Sequence, residues 1–227
     1  HRVTESEPRP ADYYFSISQR RFEEQMACLH RLRYHVVPLE AIVDWLRRGR
    51  ALPPRPVAIT FDDGYADTYQ LAVPALARYR FPATFFLVAG SVGGVSRWEA
   101  ETGHASQPLM GWGEARDLAA RGFAIGSHTR SHSVLTTLSD ERLRDELIGS
   151  RAVLEREIGA RVRFFAYPRN RTDVRTQAAV RAAGYLGACA GDGQGYHPWC
   201  LDRVDASHAA LPAARTAAWV RTSVRLR

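Results

Sequence analysis

A chain of 227 residues with 45% hydrophobic content can bury one sizeable core and needs no second domain to do so. Its 31 basic and 24 acidic residues leave a formal charge of +7, and every basic residue is arginine; with no basic stripe interleaved with aromatics, the composition argues against a nucleic-acid interface. No apolar run approaches the roughly 18 residues of a membrane span and no signal peptide is visible, although a chain that opens on His1 is expected to have lost an upstream signal or anchor.

In chain order the pattern alternates helix and strand. Ser18 caps a helix whose Phe22, Met26, Leu29 and Leu32 share one face; residues 34–37 read as a strand and 39–48 as a helix stopped by Gly49. A strand over 57–61 follows, then a helical stretch over 69–80 broken or bent by Pro74, a strand over 83–88, and a helix over 113–121 ending at Gly122. Between them, 90–110 carries four glycines and no periodicity, and a loop of that length in a compact domain is usually functional or mobile. Ser139, followed by Asp140 and Glu141, starts a helix that runs to Gly159, and its interleaved Arg142, Arg144, Asp145, Glu146, Arg151, Glu155, Arg156 and Glu157 read as a solvated face. A strand over 162–166, a helix over 172–183 and a strand over 186–190 complete the series. Repeated βα units predict a parallel sheet with helices outside and active residues at the carboxyl ends of the strands. Cys28, Cys189 and Cys200 are an odd set without C-x-x-C spacing, so neither a disulfide framework nor a cysteine metal site is indicated; Cys28 and Cys189 read as core residues, and Cys200 can pair or stay reduced.

Two polar clusters interrupt the pattern. Ala58-Ile59-Thr60-Phe61 ends in Asp62-Asp63-Gly64, a strand end where two carboxylates can divide the work of metal ligand and base; a plain Asp-Gly turn has the same sequence. His128-Thr129-Arg130-Ser131-His132 also follows an apolar run, and histidines at i and i+4 share one face of a helical turn. A pair of surface histidines has that spacing too, but two imidazoles with a carboxylate make a three-ligand site with open positions, the catalytic type of metal site.

These motifs make the chain resemble the polysaccharide deacetylases of the NodB-homology type, metal-dependent carbohydrate N-deacetylases. Thr60-Phe61-Asp62-Asp63-Gly64 is similar to the family's first motif, His128-Thr129-Arg130-Ser131-His132 with Leu135 to its second, and Phe165-Ala166-Tyr167-Pro168 to its third in the form of the biofilm-polysaccharide branch. Pro82-Ala83-Thr84-Phe85-Phe86 and Ala183-Gly184-Tyr185 extend the resemblance over nearly the whole chain, 1–227, as one domain. It implies a distorted (β/α)7 barrel, a closure the pattern alone does not show. It also implies one divalent ion, Zn²⁺ first and Ni²⁺, Co²⁺ or Fe²⁺ as alternatives, held by Asp63, His128 and His132, with Asp62 as the base that takes a proton from the attacking water. The backbone N–H of Arg169 would bind the oxyanion. Many relatives orient the base with an arginine where this chain has Ala166, and Arg203 is the candidate substitute. The substrate would be a glycan containing N-acetylhexosamine, met by Tyr167 and Pro168 and by Trp98 and Trp112 as candidate stacking platforms, in an extracytoplasmic or cell-envelope setting.

The acid that protonates the leaving amine has two candidates. His208, in Ala206-Ser207-His208, is a degraded form of the C-terminal motif of many relatives, whereas His1-Arg2-Val3 looks like the N-terminal motif of the permuted biofilm branch and is favoured. Two alternative functions remain: an O-acetyl carbohydrate esterase, and a carbohydrate-binding relative with a disabled acid.

Overall fold

In the computed structural model residues 1–8, 15–191 and 196–206 are described; His208 lies outside them. The strands are short and apolar, and most are followed by a helix. In order these are β1 (Arg2–Thr4), β2 (Ser16–Ser18), α1 (Gln19–Arg31), β3 (His35–Val36), α2 (Leu39–Arg48), β4 (Pro56–Val57), β5 (Ile59–Phe61), α3 (Ala66–Tyr79), β6 (Ala83–Leu87), α4 (Trp112–Ala120) and β7 (Ala124–Ser127). There follow α5 (Asp140–Arg144), α6 (Ser150–Ile158), β8 (Phe164–Ala166), α7 (Val174–Ala182), β9 (Gly187–Cys189), β10 (Tyr196–His197) and β11 (Cys200–Leu201). The central sheet has the order β10-β11-β9-β8-β7-β6-β5, and only the β10–β11 pair is antiparallel. The other six strands form a curled parallel half-barrel, against the seven units expected; β1–β2 and β3–β4 are separate two-stranded pieces among the described residues.

Local chemistry accounts for most element ends. The Ser18 hydroxyl accepts from the Arg21 N–H and starts α1, and Gly49 at φ +67 stops α2 because only glycine enters that region at little cost. Helix α3 begins at Ala66, earlier than expected, and continues through Pro74, which supplies no N–H for the turn behind it. Its buried Ala72, Val73, Ala75 and Leu76 hold it across that missing bond by packing on the core. The apolar run 57–61, expected as one strand, is divided at Ala58 so that Val57 pairs with β3 and Ile59–Phe61 with β6. A π-helical turn, Asp145–Gly149, interrupts the helix expected from Ser139 to Gly159. The 90–110 segment folds back on itself through the Val95–Pro108 bridge and carries a short 3₁₀ helix, Arg97–Thr102.

The sheet is covered on both faces, as parallel sheets generally are. Alternation along β6 sends Phe85 into the main core with Phe61 and Phe165, and Phe86 to the opposite side with Leu39, Val43 and Phe164. Burying each such side chain contributes about 1.5–3 kcal/mol. All three cysteines are buried and none forms a disulfide. No helix among the described residues is long and apolar enough to cross a membrane. The consequence for function is one rim: the carboxyl ends of β5, β7, β8 and β11 lead directly to Asp62, His128, Tyr167 and Asp202-Arg203.

Candidate active site

Strand β5 ends at Phe61, and the chain then turns through Asp63 at φ 72 and Gly64 at φ 81. Glycine is required at 64: a Cβ there would come within 2.7 Å of Leu87 Cδ2, besides the positive φ. The turn sends the two carboxylates to different partners, and both are buried. Asp62 is gripped in two-point fashion by Arg203, with Nη1 to Oδ1 at 2.7 Å and Nη2 to Oδ2 at 2.6 Å. The guanidinium is fixed in turn by the Ala190 carbonyl at 3.0 Å and the Thr60 hydroxyl at 3.3 Å. Arg203 thus stands on Asp62, the residue expected as base, where the third motif has only Ala166. Burial, the largest single influence, would raise the Asp62 pKa, but the charge and hydrogen bonds of Arg203 together with His128 and His1 outweigh it and hold the carboxyl at about 2. Burial likewise opposes the Arg203 charge, and Asp62 more than compensates, so the arginine stays protonated.

Asp63 faces imidazoles. Its Oδ1 lies 3.3 Å from Nε2 of both His128 and His132, and one ligand atom from each of the three residues falls within 4.8 Å of the others. The His128 Nδ1 lies 2.8 Å from the Ala166 carbonyl, which only accepts, so Nδ1 is the donor there and Nε2 is the nitrogen turned toward Asp63. Asp63 Oδ1 is buried and has no hydrogen-bond partner among the described residues. The three residues could hold a metal ion, and the Asp/His/His donor set suits a divalent one. Burial would raise the Asp63 pKa, but His1, His128 and His132 outweigh it and hold the carboxyl well below the usual range; burial lowers that of His132.

The histidine pair does not sit on a helical turn as its spacing suggested. Residues 128–132 form an irregular loop after β7, with Thr129 at φ 69 and His132 at φ 61, and it is these left-handed residues that bring both rings to one point. Against His132 lies Trp98, ring centroids 4.4 Å apart and 20° from parallel. One face of this buried indole is therefore taken by a histidine, while Trp98 also lines the cavity beside His132. Trp112 is half-buried at the start of α4, packed on the core. Tyr167 is fully buried, its hydroxyl donating to the Trp199 carbonyl at 2.8 Å, and Pro168 is buried beside it, so the expected sugar contact from the tyrosine ring has no open face.

His1 comes to the same centre from the far end of the sequence. Its Nδ1 is 2.9 Å from Asp63 Oδ2 and its Nε2 is 3.8 Å from Asp62 Oδ2. The ring stacks on Phe15 at 4.5 Å, the His1 main-chain nitrogen donates to the Phe15 carbonyl at 3.0 Å, and the Thr68 hydroxyl donates to the His1 carbonyl at 2.9 Å. Arg2 clamps Asp67 on α3, so β1 is fixed against that helix. Burial works against the charged imidazole, but Asp63 and Asp62 outweigh it and raise the His1 pKa. Arg169 adopts φ 56 and ψ 21 in the turn after β8, and its side chain is bound by Glu101. A polar cavity of about 1100 Å³ opens beside His132, lined by Trp98, Glu101, Arg130, Ser131 and Arg169 among others.

Glu146, expected on a solvated helix face, is buried and bonded to the loop that carries the histidines. The signal was present: Leu143, Leu147, Ser150 and Leu154 form the buried stripe of that helix, and Glu146 adjoins it.

A family model described as polysaccharide deacetylase matches residues 49–188. The Bacillus subtilis (strain 168) protein YxkH, whose name places it among polysaccharide deacetylases, is 29% identical over 170 residues, covering 74% of this chain and 56% of YxkH. The poly-β-1,6-N-acetyl-D-glucosamine N-deacetylase of Staphylococcus aureus (strain MSSA476) is 35% identical over 79 residues, which are 35% of this chain and 27% of that enzyme. The matched segments thus span little more than half of one relative and about a quarter of the other. Among solved structures, the Streptococcus pyogenes deacetylase PplD superposes with a TM-score of 0.78 at 20% identity, covering 99% of this chain and 95% of that one. IcaB from Ammonifex degensii gives 0.77 at 23% identity, covering 96% and 95%. At such identities the likeness is one of fold.

Proposed function

Because the chain belongs to the polysaccharide deacetylase family, we propose that it is a metal-dependent hydrolase removing N-acetyl groups from N-acetylhexosamine units of a glycan. The observation that carries this reading is the separation of two adjacent carboxylates, Asp62 tied to an arginine and Asp63 turned to two imidazoles, with His1 in reach of both. The substrate class follows the activity named for the Staphylococcus aureus relative, a poly-β-1,6-N-acetyl-D-glucosamine N-deacetylase. The sheet, on this reading, belongs to a distorted (β/α)7 barrel, and 1–227 is one deacetylase domain.

Asp63, His128 and His132 would hold one divalent ion, Zn²⁺ by the preference of mixed N/O ligands, with Ni²⁺, Co²⁺ or Fe²⁺ as alternatives. When bound, such an ion lowers the pKa of water and polarises a carbonyl oxygen. The protein supplies the rest. Asp62, ionised and aimed by Arg203, takes a proton from water as the water oxygen bonds to the acetyl carbonyl carbon. The Arg169 N–H donates to the oxygen on which negative charge develops. His1 gives a proton to the nitrogen as the carbon–nitrogen bond breaks, so that acetate and a free amine leave. The cavity beside His132 gives the sugar chain a polar seat.

The test is acetate release by the Zn²⁺-loaded protein from matched N-acetylated and O-acetylated glycans. N-acetylated oligomers of glucosamine are expected to react; release from O-acetylated sugars alone would instead establish the esterase, and release from neither would contradict both hydrolase readings.

A further inference from the structure

Glu146 is 6% exposed, and its carboxylate is met by main-chain and hydroxyl donors of the loop that carries the two histidines. Oε2 accepts from the Arg130 N–H at 2.7 Å and the Ser131 N–H at 3.0 Å, and Oε1 accepts from the Ser131 hydroxyl. On the other side of the same segment, the Thr129 and Arg130 carbonyls accept from the Ala89 and Gly90 N–H groups at 3.0 and 2.8 Å. The His132 N–H is taken by the Thr129 hydroxyl at 2.8 Å. The segment needs such holding. Thr129 and His132 occupy the left-handed region, which a residue with a side chain keeps only when its surroundings over-determine it. Moreover, His132 Nδ1 is buried and has no hydrogen-bond partner among the described residues, so none of them supplies the outer contact that ordinarily orients a ligating imidazole. Its direction is left to the backbone and the Trp98 stack. The π turn that contains Glu146 is a distortion of the kind that recurs at functional sites.

We infer that Glu146 is a positioning residue: it fixes the 130–132 peptides so that His132, together with His128, presents Nε2 to Asp63. The inference rests on the metal-site reading proposed above. It is tested by measuring the Zn²⁺ dissociation constant, by competition with a chromophoric chelator, for the wild type and for Glu146→Ala, Glu146→Gln and Leu147→Ala. Outer contacts of this kind are worth about 10–100-fold in metal affinity, so Glu146→Ala is expected to bind that much more weakly. Glu146→Gln, whose amide oxygen still accepts both N–H groups, is expected to stay within about three-fold of wild type. Leu147→Ala removes a core side chain from the same turn; it should lower Tm without loosening Zn²⁺. Affinity of Glu146→Ala within about two-fold of wild type would overturn the inference, as would a Leu147→Ala loss equal to that of Glu146→Ala. Should Glu146→Ala fail to fold, Glu146→Asp, with its carboxylate drawn back by one methylene, decides: about five-fold weaker binding or more supports the inference, and wild-type affinity overturns it. A wild type that takes up no Zn²⁺ refutes the metal reading itself, and this inference with it.

Discussion

Asp62→Asn is expected to retain its metal while turnover falls by about 10²–10⁴-fold, equivalent to about 3–5 kcal/mol of transition-state stabilisation. Asparagine keeps the shape of the side chain and one acceptor for the Arg203 guanidinium, which meets both Asp62 oxygens in the native protein. It cannot take up a proton, so the step that should suffer is activation of the attacking water. Asp63→Asn is the paired control. That residue turns Oδ1 to two imidazole nitrogens at 3.3 Å, so its variant should lose metal affinity first and activity only as a consequence. Metal content by elemental analysis, alongside kcat for both variants, separates the roles; equal metal loss in the two would contradict the division.

His1→Ala is expected to lower turnover by about two orders of magnitude or more on an acetamide and by much less on an activated aryl acetate. An amine leaves poorly without a proton, whereas an aryloxide needs little help. His1 is held for this role by the Phe15 ring, the Phe15 carbonyl and Thr68, and its ring stands between the two aspartates. His208→Ala is expected to change neither rate. A substrate-selective loss in His208→Ala, with His1→Ala near wild type, would transfer the acid role to the C-terminal candidate.

What was legible in the sequence was what local spacing controls. The ends of α1 and α2 follow from Ser18 and Gly49, and the exit of β5 into Asp62-Asp63-Gly64 follows from an apolar run meeting two acids and a glycine. Arg203 is marked by a gap: the third motif has Ala166 where many relatives have an arginine, and the structure brings Arg203 onto Asp62 from 141 residues away. Direction of side chains was harder. Trp98 and Tyr167 carry ring faces that look suited to sugars, but tertiary packing turns one onto His132 and the other into the core. The i, i+4 histidines suggested a helix because spacing records separation and not φ, and the left-handed Thr129 and His132 leave no trace in it. Glu146 was hidden by its charged neighbours, since interleaved arginines and acids mark an exposed face only while the helix stays regular, and a π turn intervenes here. The division of 57–61 between two sheets likewise depends on partners 21 and 24 residues away, His35–Val36 on one side and Ala83–Phe85 on the other.

The central claim is that Asp63, His128 and His132 hold a catalytic divalent ion. Its most direct test is the metal content of purified wild type and of His128→Ala after equilibration with Zn²⁺ and removal of excess. The account predicts one ion per wild-type chain and little or none in the variant, because removing one of three ligands leaves a buried carboxylate and a single imidazole. A wild type that stays metal-free, or a His128→Ala protein that keeps a full equivalent, would contradict it.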